Sequence, residues 1–303
     1  MPEIKSYAKI NLSLKILGKN AQNNPQNGYH YISSIFAKVP LHDVVVIEPN
    51  KAPQNTIIFK NNDELNAQNN ITKTLDILRK TAEEHSINLP FFNIEITKNI
   101  PLLSGLGGGS CNAAVVVDYI FTNYFIGLDA KLKTQICMQI GADVAFFAQQ
   151  YSTPQQNNFA FCHGYGQIIE PLLIQQTLDE FFDIFIFKIK PHLYQKPSTQ
   201  AMYKAMQRPE IANYQQQVLQ PALQFYEQIK NLTPQQLTKY IANDFAPLVI
   251  NPSLEIKTLC DFLKINKITH GLSGSGPSIF ALTPKGKFIK DDFCDLTNDF
   301  DIF

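Results

Sequence analysis

The sequence predicts a protein of mixed helices and strands in two domains, and three observations predict it. At 303 residues the chain is long enough for two ordinary domains, each able to bury its own core. Its opening, EIKSYAKINLSLKI at 3–16, alternates polar and apolar residues as a half-buried strand of an antiparallel sheet does. Further on, the string GLGGGSCN at 105–112 runs straight into AAVVVDYIF, where Ala113, Val117, Ile120 and Tyr124 recur at helical spacing from Ser110 onward.

The glycine string is the element around which the rest is arranged. Gly105, Gly107, Gly108 and Gly109, interrupted only by Leu106, leave the backbone free for conformations and close approaches that a side chain forbids. A glycine turn feeding a helix N-terminus is an anion seat, because unpaired amides and the helix dipole point the same way. Phosphate is the expected guest, and a ligand-free surface turn is the alternative. The string is not a P-loop, which closes on Lys and Ser/Thr. Nor is it a dinucleotide fingerprint, since Ser110 stands where the third glycine belongs.

Composition narrows the partners. Formal net charge is zero and charged residues make up 17% of the chain, so no global field favours nucleic acid or an acidic membrane. A small molecule fits better. Surface polarity is concentrated in Asn- and Gln-rich strings at 20–27, 61–70 and 155–158, which read as loops, and the last is the candidate domain boundary. The cysteines at 111, 137, 162, 260 and 294 are odd in number and lack CxxC spacing, against a disulfide framework or a structural zinc site. No export signal or apolar run of membrane-spanning length is present, so a cytoplasmic protein is expected.

The remaining elements follow in order. On the opening strand Lys9 and Asn11 share the face opposite to Ala8, Ile10 and Leu12; a solvated face is the ordinary reading of such a pair. Asn27-Gly28 signals a turn, with Tyr29 and His30 at its exit and a strand at 44–48. Tyr offers a flat face and His an edge to a base, although an aromatic contact beside a surface imidazole explains the pair equally. A helix is expected over 71–84, after Asn69-Asn70 as its cap, then a strand at 91–99, and a further helix at 131–141 ending on Gly141. Asp143, in the apolar string GADVAFF, is either a helix cap or a working carboxylate. Short strands are expected around Gly164 and Gly166, and a buried one at 181–190. Helices follow around Tyr203 and over 221–229, 233–244 and 253–264. A second glycine loop, with Gly271, Gly274 and Gly276, precedes a strand at 278–282.

Three separated segments, AKINL at 8–12, PLLSGLGGGSCNAA at 101–114 and GLSGSGPSIFAL at 271–282, resemble in order and spacing the three motifs of the GHMP kinase superfamily. Within it, GYH at 28–30, GADV at 141–144 and STQAMY at 198–203 are similar to the branch acting on 4-diphosphocytidyl-2-C-methyl-D-erythritol in isoprenoid precursor synthesis. The match spans nearly the whole chain. It implies an α+β fold with a ribosomal-S5-like N-terminal domain (1–155), a ferredoxin-like C-terminal domain (156–303) and an active site in the cleft between them. It also implies transfer of the ATP γ-phosphate to the 2-hydroxyl of that alcohol, with Mg²⁺; the metal's protein ligands stay open, Ser110 being only a candidate.

Carried over by position, the resemblance makes Asp143 the catalytic base and Lys9 its partner, with Asn11 on the substrate side. Tyr29, His30, Thr199 and Tyr203 would hold the cytidine end. Leu103, Ser104, Gly105, Leu106, Gly107, Gly108, Gly109 and Ser110 would cradle the triphosphate, with Asn70 and Lys98 near the nucleotide. The chain departs from the family pattern at Leu103 and Ser104, where small residues are usual, and at Cys111 for Ser, Ala145 for Pro and Gln167 for Glu. None of these touches Lys9 or Asp143, so activity is expected. A different GHMP kinase, of mevalonate or homoserine type, and a catalytically silent nucleotide-binding relative are the alternatives; a monomer and a homodimer both remain open.

Overall fold

The computed structural model describes residues 2–20, 29–61, 70–152 and 158–303, with 149–152 described by backbone alone. Asn27-Gly28, Asn69, most of the Asn-rich strings and positions 155–157 of the expected boundary lie outside the described residues. Strand β1 (Ile4–Lys19) is followed by β2 (His30–Asn50) and β3 (Thr56–Phe59). Helix α1 (Asn70–Glu84) and strand β4 (Phe91–Thr97) lead to α2 (Gly108–Asn123), α3 (Ala130–Ile140) and α4 (Val144–Ser152). Then come β5 (Phe159–Gly164), β6 (Ile168–Pro171), β7 (Phe182–Ile189), α5 (Thr199–Ala205), α6 (Gln220–Ile229) and α7 (Pro234–Leu237). The chain finishes with β8 (Ala242–Asn243), α8 (Ala246–Ile250), α9 (Leu254–Ile265), β9 (Thr269–Leu272), β10 (Ser278–Pro284) and β11 (Phe300–Ile302). The class is α+β.

The chain packs into two compact units that do not follow chain order. One comprises Met1–Ala8, Pro40–Leu102 and Gly107–Gln155, the other Lys9–Val39, Leu103–Leu106 and Gln156–Phe303. Strands β1 and β2 each begin in one unit and end in the other, so packing groups 9–39 and 103–106 with the later part of the chain.

In the first unit β4 pairs antiparallel with residues 44–50 of β2 and parallel with β3. Phe92, Ile94 and Ile96 on β4, and Val45 and Ile47 on β2, are fully buried, as the alternation requires. Helix α1 buries Ile71, Leu75, Leu78 and Ala82, the stripe its spacing foretold. Helix α2 is buried continuously from Cys111 to Val117, because it packs against α1, α3 and α4. One carboxylate ties these parts together. Asp43, fully buried on β2, accepts from the amides of Asn99 and Ile100 (both 2.8 Å) and from Asn112 Nδ2 on α2 (2.9 Å), and it pairs with the Lys98 ammonium.

In the second unit β5 pairs with 32–37 of β2 and with β6, while β8 adds a short parallel pairing to β1 at Ser13 and Leu14. A separate antiparallel sheet runs in the order β11-β7-β10-β9. Its buried face carries Phe187, Ile189, Ile279 and Ala281 against Phe245, Leu259, Leu263 and Phe293. Phe293 meets Phe185 and Phe187 edge-on at 4.9 and 5.2 Å.

Several expectations are corrected. The helix expected over 233–244 stops at Leu237, passes through a 3-10 turn to Tyr240 and gives way to β8. Asn243 explains the switch: its Nδ2 donates to the carbonyls of Leu272 and Gly274 (both 2.8 Å), an arrangement that needs it in the sheet. Helix α2 starts at Gly108 rather than Ser110, with Gly107 in the left-handed region (φ 77°) as its cap. Helix α3 does end on Gly141 as expected, with that residue in extended backbone (φ 177°). Strands β3, β9 and β11 and helix α8 were not anticipated, being short or lacking a periodic signal, and α4 was anticipated only through Asp143 as a possible cap.

Removing the Asp43 carboxylate leaves a buried ammonium and three donors without their acceptor. Asp43→Ala is therefore expected to destabilise the protein by about 3–5 kcal/mol in urea unfolding; a loss under about 1 kcal/mol contradicts the role given to this tie.

Candidate active site

Lys9 lies within β1 and is only 3% exposed. Its ammonium donates to Asn11 Oδ1 (2.5 Å) and sits 4.6 Å from the centre of the Phe36 ring, a favourable cation–π position. Asn11 Nδ2 in turn donates to Ser34 Oγ at 2.9 Å, and Ser34 donates to the Ser13 carbonyl. The face holding Lys9 and Asn11 is thus buried and wired, not solvated. A lysine kept in such a place carries a desolvation cost that a passive strand residue does not need to incur.

The backbone of Lys9 leads to the glycine turn. Its amide donates to the Leu106 carbonyl at 3.1 Å. One residue earlier Gly105, at φ 79°, accepts from Ser273 Oγ (3.1 Å), and a Cβ there would stand 2.2 Å from the Ser273 carbonyl oxygen. Only glycine permits that approach. The loop it meets is the second glycine turn, where a Cβ on Gly274 would come within 3.4 Å of Asn11 Oδ1. Ser104 is buried and its carbonyl accepts from the Ser278 amide (3.4 Å), while Leu103 is 83% exposed at φ 53°. Leu103 therefore occupies no internal space.

At the start of α2 no side chain caps the helix. The amides of Ser110 and Cys111 return to the Gly107 carbonyl (both 2.9 Å). The N-terminal dipole and the amides before Ser110 are the anion-directed groups of this end. Gly108 faces Lys98, since a Cβ would lie 3.1 Å from Nζ, and Gly109 faces Asn70, at 3.1 Å from its Nδ2. The structure thus assembles Asn70, Lys98, Gly108, Gly109 and Ser110 at one end of one helix. Cys111 is buried; burial pushes its thiol pKa up to about 12, so it stays a neutral thiol.

Asp143 stands immediately before α4, and its carbonyl accepts from the Phe147 amide at 3.4 Å. It holds the cap position of that helix at intermediate exposure, among the buried residues Val144, Ala145, Phe146 and Phe147.

On the other sequence-predicted positions the structure divides. His30 is buried and stacks on Tyr203 (4.9 Å, 28°), which meets Phe245 edge-on. Tyr29 is 61% exposed and packs edge-on against Tyr165, so it is not part of that stack. Thr199, the first residue of α5, has its hydroxyl 3.1 Å from Ser275 Oγ. Sequence reading missed Asp43, Ser34, Ser273, Ser275 and Lys196. Asp43 carried the same signal as Asp143, a lone carboxylate beside an apolar run; the serines and Lys196 carried none, since their partners are distant in sequence.

Comparison with known proteins gives concordant results. Residues 69–151 match the model of the GHMP kinases N terminal domain. The 4-diphosphocytidyl-2-C-methyl-D-erythritol kinase of Prochlorococcus marinus (strain MIT 9301) is 30% identical, over 95% of this chain and 91% of the relative. That of Thermotoga maritima is 29% identical over 94% of this chain and 93% of the relative. Among solved structures, a 4-(cytidine 5'-diphospho)-2C-methyl-D-erythritol kinase shares the fold with a TM-score of 0.65 at 20% identity, covering 100% of this chain and 97% of that one. The Methanococcus jannaschii mevalonate kinase shares it at 0.60 and 14% identity, covering 100% and 96%.

Gly105→Ala is expected to push the Ser273 carbonyl away and to add left-handed strain of about 1–2 kcal/mol. Hydrogen exchange should then accelerate at Gly276, whose amide is bonded to that carbonyl; unchanged exchange there contradicts the close approach.

Proposed function

The chain belongs to the 4-diphosphocytidyl-2-C-methyl-D-erythritol kinases of the GHMP superfamily, and from that membership we propose that it transfers the γ-phosphate of ATP to the 2-hydroxyl of this diphosphocytidyl alcohol. It is an ATP-dependent kinase of small molecules, a step of the methylerythritol phosphate route to isoprenoid precursors. The observation that carries the site assignment is the bond from the Lys9 amide to the Leu106 carbonyl, which joins a buried lysine to the glycine turn that would seat the triphosphate.

Phosphoryl transfer asks a protein chiefly to position reactants and offset charge, since covalent chemistry by the protein is slight. In this reading Asp143 accepts the proton of the tertiary hydroxyl as that oxygen engages phosphorus. Lys9, held by Asn11 and the Phe36 ring, orients Asp143 and stabilises the hydroxyl oxygen or the transferred phosphoryl. The amides of the turn and the uncapped α2 N-terminus offset the phosphate charge, with Lys98 and Asn70 beside them. His30 and Tyr203 hold the cytosine, the imidazole reading its edge, and the exposed Tyr29 ring packs on it.

Mg²⁺ belongs to the same proposal, and it would offset charge on the phosphate oxygens. Among the described residues no group of three or more His, Cys, Asp or Glu side chains gathers to hold a metal ion. Ser110, at the start of α2, is the candidate protein ligand for Mg²⁺. Among the described residues no helix is long and apolar enough to cross a membrane. A cytoplasmic location is part of the proposal.

Two variants test the assignment. Asp143→Asn is expected to lower turnover at least about a hundredfold while acceptor binding stays measurable; near-normal turnover removes Asp143 from the mechanism. His30→Ala is expected to raise the KM for the acceptor well above any change in the KM for ATP. Equal changes in both would take His30 out of the cytidine pocket, and turnover of mevalonate or homoserine in preference to the diphosphocytidyl alcohol would overturn the substrate.

A further inference from the structure

The polar atoms behind the buried lysine form a relay whose hydrogen-bond direction is set at its far end. Lys9, Asn11 and Ser13 alternate along β1 and share one of its faces, while Ser34 and Phe36 share a face of β2, the strand beside it in the sheet. All five fall in the second unit. Ser34 is fully buried and Asn11 is 2% exposed, so the polar atoms of both depend on protein partners. Ser34 donates to the Ser13 carbonyl, and Ser13 is itself held by the Ile35 amide, which donates to its Oγ at 3.0 Å.

A carbonyl can only accept, so the single hydroxyl proton of Ser34 is committed to it. With that proton engaged, Ser34 Oγ faces Asn11 as an acceptor, and only the amide nitrogen of Asn11 can satisfy it, at 2.9 Å. The two ends of a side-chain amide have nearly the same shape, so this demand decides which end points where. Asn11 Oδ1 is thereby turned to the Lys9 ammonium, 2.5 Å away, whereas the reverse orientation would set N–H groups against a cation. Phe36 offers the same ammonium its ring.

We propose that Ser34 is a positioning residue for phosphoryl transfer: its hydroxyl fixes the orientation of the Asn11 amide, and through Asn11 the direction in which the Lys9 ammonium points. This rests on the roles given above to Lys9 and Asn11. A lysine carries three donors on a flexible stem, and an ammonium turned aside no longer meets the oxygen on which charge develops. Asn11 is not the only group on Lys9, so losing Ser34 should reorient the ammonium and not release it. Turnover should suffer, and binding should not.

The test measures kcat and both KM values in the full chain for wild type, Ser34→Ala, Asn11→Ala and the double variant, and follows exchange of the Asn11 side-chain amide by NMR. Leaving that amide without its acceptor should lower kcat at least about fivefold in Ser34→Ala, with both KM values within about twofold of wild type. Ser34→Thr keeps the hydroxyl on a strand that suits a β-branched residue, and it should recover most of the loss. In the Asn11→Ala background, Ser34→Ala should alter kcat less than about twofold, because Ser34 then has nothing to orient; a purely structural loss would recur there in full. Exchange of the Asn11 side-chain amide should accelerate at least about fivefold in Ser34→Ala. A near-normal kcat in Ser34→Ala, an equal loss in both backgrounds, or unaltered amide exchange overturns the proposal. The two levels separate because amide exchange needs no turnover. A wild type that leaves the diphosphocytidyl alcohol unphosphorylated overturns the kinase reading and the role in transfer with it, whereas wild-type turnover with any of those three results sinks the role of Ser34 alone.

Discussion

The contact on which the site geometry depends is the approach of Gly105 to the second glycine turn. With its carbonyl bonded to Ser273 Oγ and no room for a Cβ, Gly105 fixes where the first turn begins. Leu106 follows and accepts from the Lys9 amide, so strand β1 is registered against the same turn. Asn11 and Gly274 come close for the same reason, and Ser275, one residue further, carries Lys196 and Thr199. One missing methyl group thus sets the relation of the buried lysine, its amide partner and the hydroxyl cluster. A glycine conformation at φ 79° costs little where an alanine would be strained, which is why the arrangement can be built from backbone.

The other flank of the glycine string depends on a different device. Asp43 accepts two backbone amides just before the string and the side chain of Asn112 at its end, and it holds Lys98 beside Gly108. A buried ion pair contributes modest net stability because desolvation offsets the attraction, but its hydrogen bonds specify one geometry. Here that geometry leaves the N-terminal end of α2 uncapped by any side chain, with cationic Lys98 alongside. An anion at such an end completes hydrogen bonding that the helix itself leaves open.

Much of this was legible in the sequence. The period-2 alternation of β1 and β4, the helical stripe of α1 and the apolar run of β7 each report their own environment within a few residues, so local pattern sufficed. The glycine string was read directly from its residues, and the roles expected of Lys9 and Asp143 came from family likeness. What failed depended on partners far away in the chain. The segment at 233–244 has helical composition, yet Asn243 is drawn into the sheet by the carbonyls of Leu272 and Gly274. Lys9 and Asn11 looked like a solvated face because nothing local announces that Phe36 and Ser34 cover them. Lys196 gave no signal at all, since a single lysine in a polar loop acquires meaning only when Ser275 arrives beside it.

The account as a whole stands on one event, formation of a phosphate ester at a tertiary alcohol. Phosphorus NMR of the purified protein incubated with ATP, Mg²⁺ and the diphosphocytidyl alcohol observes that event directly. The account predicts a new phosphomonoester resonance on the 2-oxygen, growing in step with ADP and absent without the acceptor. ATP hydrolysis to free phosphate with the alcohol unchanged, or an ester on any other oxygen, would contradict it.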